Sequence, residues 1–270
     1  MRKQVILKYK GFHVNLGDRS NMEQFSSNRA AFSQVFLQGT YDSLLKKLKA
    51  SDSVIDAGAN IGMFTLQAAR IVGPSGMVIA VEPQPDNIEF LKENIRLNCL
   101  TNVKVITRAL YFENDLAVSF AGKGVGGHLS KSGSITVESI SLKTVVSLLS
   151  GKDFLIKMDI EGGEEFIFAR DQDLSYLKGL KGMAYEVHSA KGMILLNARL
   201  NDIGLRPSPV YLERDFAKKI IIAFIKHPIL VIRLYRSFLF RLSLRILKKR
   251  NPPVDSDDGF EPGMQYAFRE

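Results

Sequence analysis

Val54-Ile-Asp-Ala-Gly-Ala-Asn-Ile-Gly-Met-Phe-Thr65 decides the fold of this 270-residue chain. Residues 53–57 form a short apolar run that reads as a buried strand. The chain then passes through Gly58, Asn60 and Gly62 into 61–72, where apolar residues recur at helical spacing. A strand, a glycine turn and a helix make half of a nucleotide-binding unit. Glycine suits such a turn because a side chain would keep the backbone from closing over a ligand. Twenty residues past Gly62, Val78-Ile-Ala-Val-Glu82-Pro83 reads as a second strand ending in a carboxylate. A carboxylate there can accept hydrogen bonds from both hydroxyls of a ribose, so the pair points to an adenosine-containing ligand.

The spacing narrows the choice. A dinucleotide site needs G-x-G-x-x-G, and counting from Gly58 its later glycines would fall on Asn60 and Met63. That disfavours a nicotinamide-dependent oxidoreductase, which stays as the rival enzyme class. What stands instead is Asp56-x-Gly58-x-x-x-Gly62, and an acid ahead of the turn suits the ammonium of a methionyl tail better than a diphosphate.

Around this unit, 5–9 and 12–16 alternate about Lys10-Gly11 and read as a hairpin, and 29–36 and 40–48 read as helices. A helix over 85–98 opens on Pro85, Asp86 and Glu89, and a third strand over 102–107 runs into Arg108-Ala109. Strands are expected at 116–120 and 134–140. Between them, 121–133 holds five glycines and reads equally as a lid or as a long hairpin loop, with His128 a solvated histidine. Ser141 caps a helix to 149, and 153–159 is a strand ending in Asp159. After a further helix, 182–188 is a fifth strand, followed by a helix over 193–203 that Gly204 ends. Residues 264–269 alternate like a strand that returns antiparallel beside the fifth, with Tyr266-Ala-Phe268 completing the sheet edge. This order implies an α/β fold with a doubly wound, mostly parallel seven-stranded sheet. The expected division is 1–50 for the N-terminal hairpin and helices, 51–215 for the catalytic body, 216–250 for a helical insertion and 251–270 for a linker and final strand.

Composition sets further bounds. A single cysteine, Cys99, excludes a disulfide framework and a cysteine-based zinc site, and it falls in a helical apolar pattern that reads as core. Residues 1–10 lack the apolar run of a signal peptide, so the reading is cytoplasmic. The net charge of +9 is concentrated: 218–250 holds ten of the 37 bases and no acid, leaving 27 bases against 28 acids elsewhere. That argues against a nucleic-acid surface on the body. Within 220–247 bases interrupt every apolar run before the ~20 residues a bilayer crossing needs. Lys226, Arg233, Ser237, Arg241 and Arg245 lie near one helical stripe, with Pro228 kinking or starting the helix. Such a helix suits peripheral attachment to an anionic membrane surface; packing on the body or across a dimer is the alternative.

Five strand ends carry candidate groups: Asp56, Glu82, Arg108-Ala109, Asp159 with Glu161, and Glu186 with His188. Ligands of open α/β sheets bind beyond those ends. Lys157-Met-Asp159-Ile-Glu161-Gly162-Gly-Glu164 resembles the K-I-D-V-E-G-x-E signature of the FkbM family of methyltransferases. The same family carries D-x-G-A-N-x-G-x-F-T, present here from Asp56 to Thr65, and 135–142 matches too. The resemblance covers roughly 35–190, and Gly163 departs from the family's usual alanine. It implies a class I, Rossmann-like, S-adenosylmethionine-dependent O-methyltransferase acting on a hydroxyl of a glycan, polyketide or similar metabolite. Asp56, Gly58, Asn60, Gly62 and Glu82 would then hold the cofactor, with Arg108 and Ala109 near the adenine.

Methyl transfer gains from alignment, and a hydroxyl acceptor gains from a base. Asp159 and Glu161 are the first candidates for that base and His188 the second. Asp159 could instead only orient its turn, and His188 only bond a loop. A metal on Asp159, Glu186 and His188 is conceivable on ligand type alone, and none is assigned. A nucleic-acid N-methyltransferase would want N/D-P-P-aromatic where Asp159-Ile-Glu-Gly stands. A membrane-tethered binding module without catalysis is the third class. The acceptor and the oligomeric state stay open.

Overall fold

A computed structural model describes residues 4–121, 128–129, 135–151, 153–208, 225, 228 and 263–269. The chain opens with a hairpin of β1 (Gln4–Tyr9) and β2 (Phe12–Asp18), which turns on Lys10 and Gly11 at φ +47° and +77°. Helix α1 (Met22–Phe32) runs into a π-helical turn, Ser33–Leu37, and the short α2 (Asp42–Leu45) leads to the sheet. There β3 (Ser53–Ala57), α3 (Met63–Val72), β4 (Met77–Val81), α4 (Pro85–Leu97) and β5 (Val103–Ile106) follow in turn. After β6 (Ala109–Tyr111), β7 (Ala117–Ala121), β8 (His128–Leu129) and β9 (Ile135–Ser141), Ser141 caps α5 (Leu142–Ser147) by accepting from the Thr144 N–H. The chain closes with β10 (Phe154–Met158), α6 (Gly163–Arg170), β11 (Leu180–Val187), α7 (Ala190–Asp202), β12 (Leu205–Pro207) and β13 (Gly263–Arg269).

Seven strands form one sheet in the order β12-β13-β11-β10-β3-β4-β5, and β13 runs antiparallel to both of its neighbours. This is the doubly wound, mostly parallel sheet expected. In β3 the period-2 alternation sends Val54 to one core and Ile55 to the other. The first core packs the hairpin, α1 and α3 through Val14, Leu16, Phe32 and Leu66; the second packs Ile79, Ile156, Phe168 and Tyr185. A strand buried on both faces explains why 53–57 is apolar without a polar side. Strand order reverses between β3 and β10, which opens a crevice at their carboxyl ends.

Three expectations change. Helix α1 begins at Met22, seven residues before 29. Residues 22–28 lack apolar periodicity, and the helix starts there because the Asn21 side chain accepts from the Gln24 N–H. Cys99 is exposed at φ +52° just past α4, so it is a turn residue and not core. β13 is not the sheet edge, because the three residues of β12 pair outside it, too few for periodicity to reveal. β6, β9, β7 and β8 form a separate four-stranded sheet at the flank. Most of the glycine-rich loop 121–133 and nearly all of the basic segment 218–250 lie outside the described residues.

Glycine 58 has a different reason from the one the turn suggested. A Cβ there would sit 1.8 Å from the Asp159 carbonyl oxygen, at φ +73°, so the turn needs glycine to let β3 and β10 loops touch. Gly204 has φ +81° with nothing within 4 Å of its would-be Cβ. Gly58→Ala is therefore expected to lower stability by more than about 3 kcal/mol or prevent folding. Gly204→Ala should cost only the backbone strain of about 1–2 kcal/mol. Thermal and urea unfolding of the two variants checks the contrast; equal losses would remove the steric explanation.

Candidate active site

The crevice is a cleft where four strand-end loops meet the N-terminal helices, with about 890 Å³ of empty space that includes its opening to solvent. Gly58, Asn60, Glu82, Ala109, Asp159 and Glu161 line it, so six sequence-selected residues converge on one space. Asp56, Gly62, Arg108 and His188 are not in the lining. Ala31, Gln34, Val35 and Tyr41 supply a wall from before the sheet begins, which no local pattern of residues marks.

Glu82 organises one end. Its Oε2 accepts from the Asn60 N–H at 2.7 Å, and its Oε1 accepts from the Gln84 N–H at 3.0 Å and from Asn87 Nδ2 at 3.1 Å. Burial raises its pKa and these three donors oppose the rise. A carboxylate has about four lone-pair positions, so it can still accept from a ligand hydroxyl. Asn60 itself stands at φ +52°, a conformation asparagine tolerates, with its Oδ1 accepting from the Ile61 N–H at 2.7 Å.

Asp56 does other work than the one its position ahead of the turn suggested. It is fully buried beneath the loop, where Thr65 Oγ1 donates to its Oδ2 and Lys157 Nζ stands 3.4 Å from its Oδ1. Its charge is answered inside the protein. Gly62 likewise makes room for Leu91, whose Cδ1 would lie 2.6 Å from a Cβ. The Arg108 guanidinium pairs with Asp115 at 2.5 Å and Glu138 at 2.8 Å and ties the flanking sheet together, while its neighbour Ala109 reaches the cleft.

Lys157 and Tyr41 are the residues sequence reasoning passed over. Lys157, 5% exposed, donates to the Gly58 carbonyl at 2.5 Å and the Ala57 carbonyl at 3.2 Å, and lies 3.9 Å from Asp159 Oδ2. The Tyr41 hydroxyl donates to that same Asp159 oxygen at 2.6 Å across 118 residues of sequence. A lysine heading an acidic strand end was a signal in the motif; nothing local marked Tyr41. Burial raises the Asp159 pKa, but Lys157, with hydrogen bonds from Glu186 and Tyr41, outweighs it and holds the carboxyl below its ordinary range.

Behind Asp159, His188 Nε2 lies 3.4 Å from Glu186 Oε2. Burial, then the Asp159 charge, pushes Glu186 up to about 8. Burial lowers His188, but Glu186 and Glu164 overcome it and raise the imidazole to about 9. The turn itself is set by Glu161 and Gly162 at φ +56° and +90°, closed by Glu164, which accepts from the Ile160 N–H at 2.6 Å and the Gly162 N–H at 2.9 Å. Gly163 simply starts α6, so its departure from alanine leaves the turn intact. Glu161, Glu186 and His188 bring ligand atoms within 4.8 Å of one another, which exchanges Glu161 for Asp159 in the conceivable metal set.

Residues 56–195 match the model of the Methyltransferase FkbM domain. The chain is 34% identical over 92 residues to the methyltransferase sdnD of Sordaria araneosa, taking in 33% of this chain and 34% of that protein. It is 31% identical over 97 residues to the 23S rRNA (uracil(1939)-C(5))-methyltransferase RlmD of Acinetobacter baylyi (strain ATCC 33305 / BD413 / ADP1), 36% of this chain and 19% of that one. The chain thus spans about a third and a fifth of the length of these two relatives. A SAM-dependent O-methyltransferase structure from Thermotoga maritima aligns at 15% identity and a TM-score of 0.42, over 86% of this chain and 64% of that one.

Removing one partner of a buried ion pair leaves the other charge uncompensated. Lys157→Met should therefore lower stability by about 3–5 kcal/mol, and adding Asp56→Asn should restore part of the loss. Urea unfolding of the single and double variants reads this directly. Additive losses would mean the two groups do not compensate each other.

Proposed function

The chain belongs to the FkbM methyltransferase family, and on that premise we propose that it transfers a methyl group from S-adenosylmethionine to a hydroxyl on a glycan, a lipid-linked sugar or a similar metabolite. The supporting observation is the cleft's own chemistry: Glu82 at one end and Asp159 with Glu161 at the other, joined by apolar walls. Those groups fit a nucleoside carrying a cationic tail. They do not fit a pyrophosphate, so the nicotinamide reading loses ground.

When bound, S-adenosylmethionine supplies an electrophilic methyl group on a positively charged sulfur. Glu82 would face the ribose, the 58–60 backbone would border the tail, and Ala109 with Leu110 would flank the base. Asp56 and Gly62 act from behind by fixing the loop. Asp159 and Glu161 face the positive end, and Met63, Phe64 and Val81 keep water out of the reacting space. The acceptor's proton must leave as its oxygen attacks. Asp159, held ionised by Lys157 and Tyr41, is a weak acceptor; it orients the hydroxyl, and the proton passes to Glu186 and His188 behind it.

We extend the proposal to location: the segment 218–250, with its ten bases and no acid, holds the protein peripherally on an anionic membrane on the cytoplasmic side. Among the described residues no helix is long and apolar enough to cross a membrane. Lipid attachment would bring the cleft to lipid-linked acceptors.

Two measurements test these readings. Labelled methyl transfer from S-adenosylmethionine into a lipid–glycan extract should climb as pH rises from 7 to 9, because Glu186 and His188 must lose a proton before they can accept one. No label in hydroxyl-bearing products at any pH would sink the assignment, and a flat profile would remove these two from proton transfer. In flotation with phosphatidylglycerol vesicles, the full chain should rise with the lipid and the 218–250 deletion should stay behind. Equal flotation would end the attachment proposal.

A further inference from the structure

Five buried side-chain atoms lack a hydrogen-bond partner among the described residues: Asp56 Oδ1, Gln67 Nε2, Asn87 Oδ1, His188 Nε2 and Gln265 Oε1. Of their residues, Asn87 alone lines the cleft. It is 2% exposed in the first turn of α4, and its Nδ2 is already fixed on Glu82 Oε1 at 3.1 Å. That bond orients the amide, because a carboxylate can only accept. The amide oxygen is left beside the carboxylate, with no donor to it among the described residues, and buried polar atoms are ordinarily satisfied.

The donor arithmetic at this corner says what would satisfy it. Asn60 N–H, Gln84 N–H and Asn87 Nδ2 all end on Glu82. Where Asn87 meets Glu82, two acceptors stand side by side: the remaining lone pairs of Glu82 and the oxygen of Asn87. A phosphate, which brings only acceptors, is repelled there. A cis-diol, which brings two donors on adjacent carbons, matches two neighbouring acceptors.

Resting on the adenosyl reading above, we propose that Asn87 Oδ1 receives a hydrogen bond from one ribose hydroxyl of the ligand while Glu82 receives the other. Asn87 is then a binding residue that counts donors, and Glu82 does not hold the diol alone. This also accounts for the geometry of the pair: one side chain both positions the carboxylate and shares its ligand.

Calorimetric titration of the full chain with S-adenosylhomocysteine and its 2′-deoxy and 3′-deoxy analogues tests it. The wild type should bind one of the deoxy analogues roughly tenfold more weakly, the loss of one ordinary hydrogen bond. Asn87→Leu should weaken S-adenosylhomocysteine by a similar factor and show no further loss with that analogue, while still discriminating the other. Asn87→Ser, a smaller change at a helix start, carries the same expectation should the leucine variant not fold. If the variants weaken all three ligands by one factor, or none, Asn87 only props Glu82 and the proposal is overturned. If the wild type binds none of the three, the adenosyl reading falls and takes this one with it.

Discussion

A buried ammonium holds this molecule's working end together. Lys157 Nζ sits between β3 and β10, the two strands on either side of the sheet's reversal. It bonds the carbonyls of Ala57 and Gly58 while facing the carboxylates of Asp56 and Asp159. Both turns at the reversal are therefore fixed by one charge. Burying that charge is tolerable because anions and carbonyl oxygens surround it. Its own pKa is raised in spite of burial, so the cross-link is present at every ordinary pH.

That arrangement separates two kinds of acid that look alike in the sequence. Asp56 is consumed internally, so its role in ligand binding is to hold the floor in place. Glu82, Asp159 and Glu161 line the cleft, with Lys157 the one base among its described lining residues. Asp159 lies on the boundary, with an oxygen engaged by Tyr41 and Lys157 and its carboxyl close to Glu186. Proton affinity consequently grows away from the cleft, from Asp159 toward Glu186 and His188.

Much of this was readable from residues alone, and for a physical reason. Strands buried on both faces and helices with one apolar face write their periods into the sequence, so β3, β4, β10, β11 and their helices were placed to within a few residues. Glu82 and Asp159 were found because strand ends position ligands in this topology. What escaped depends on distant approach. Tyr41 matters through an oxygen 118 positions away, and Gly58 through a carbonyl of another loop. The start of α1 escaped because a capping side chain, not a hydrophobic stripe, nucleates it. The resemblance put Arg108 near the adenine, whereas Asp115 and Glu138 hold its guanidinium at the flank.

The π-helical turn at Ser33–Leu37 sets the register of the cleft wall. Gln34 and Val35, which line the cleft, lie inside it. A π turn carries one residue more than an α turn, and such bulges often mark functional positions. Upstream, Phe32 and the hairpin residues Val14 and Leu16 are locked into the first core with Val54 and Leu66. Losing one residue of the turn would rotate the elements on its two sides by about 100° relative to each other. That core and the wall's choice of side chains are thus held by the same extra residue.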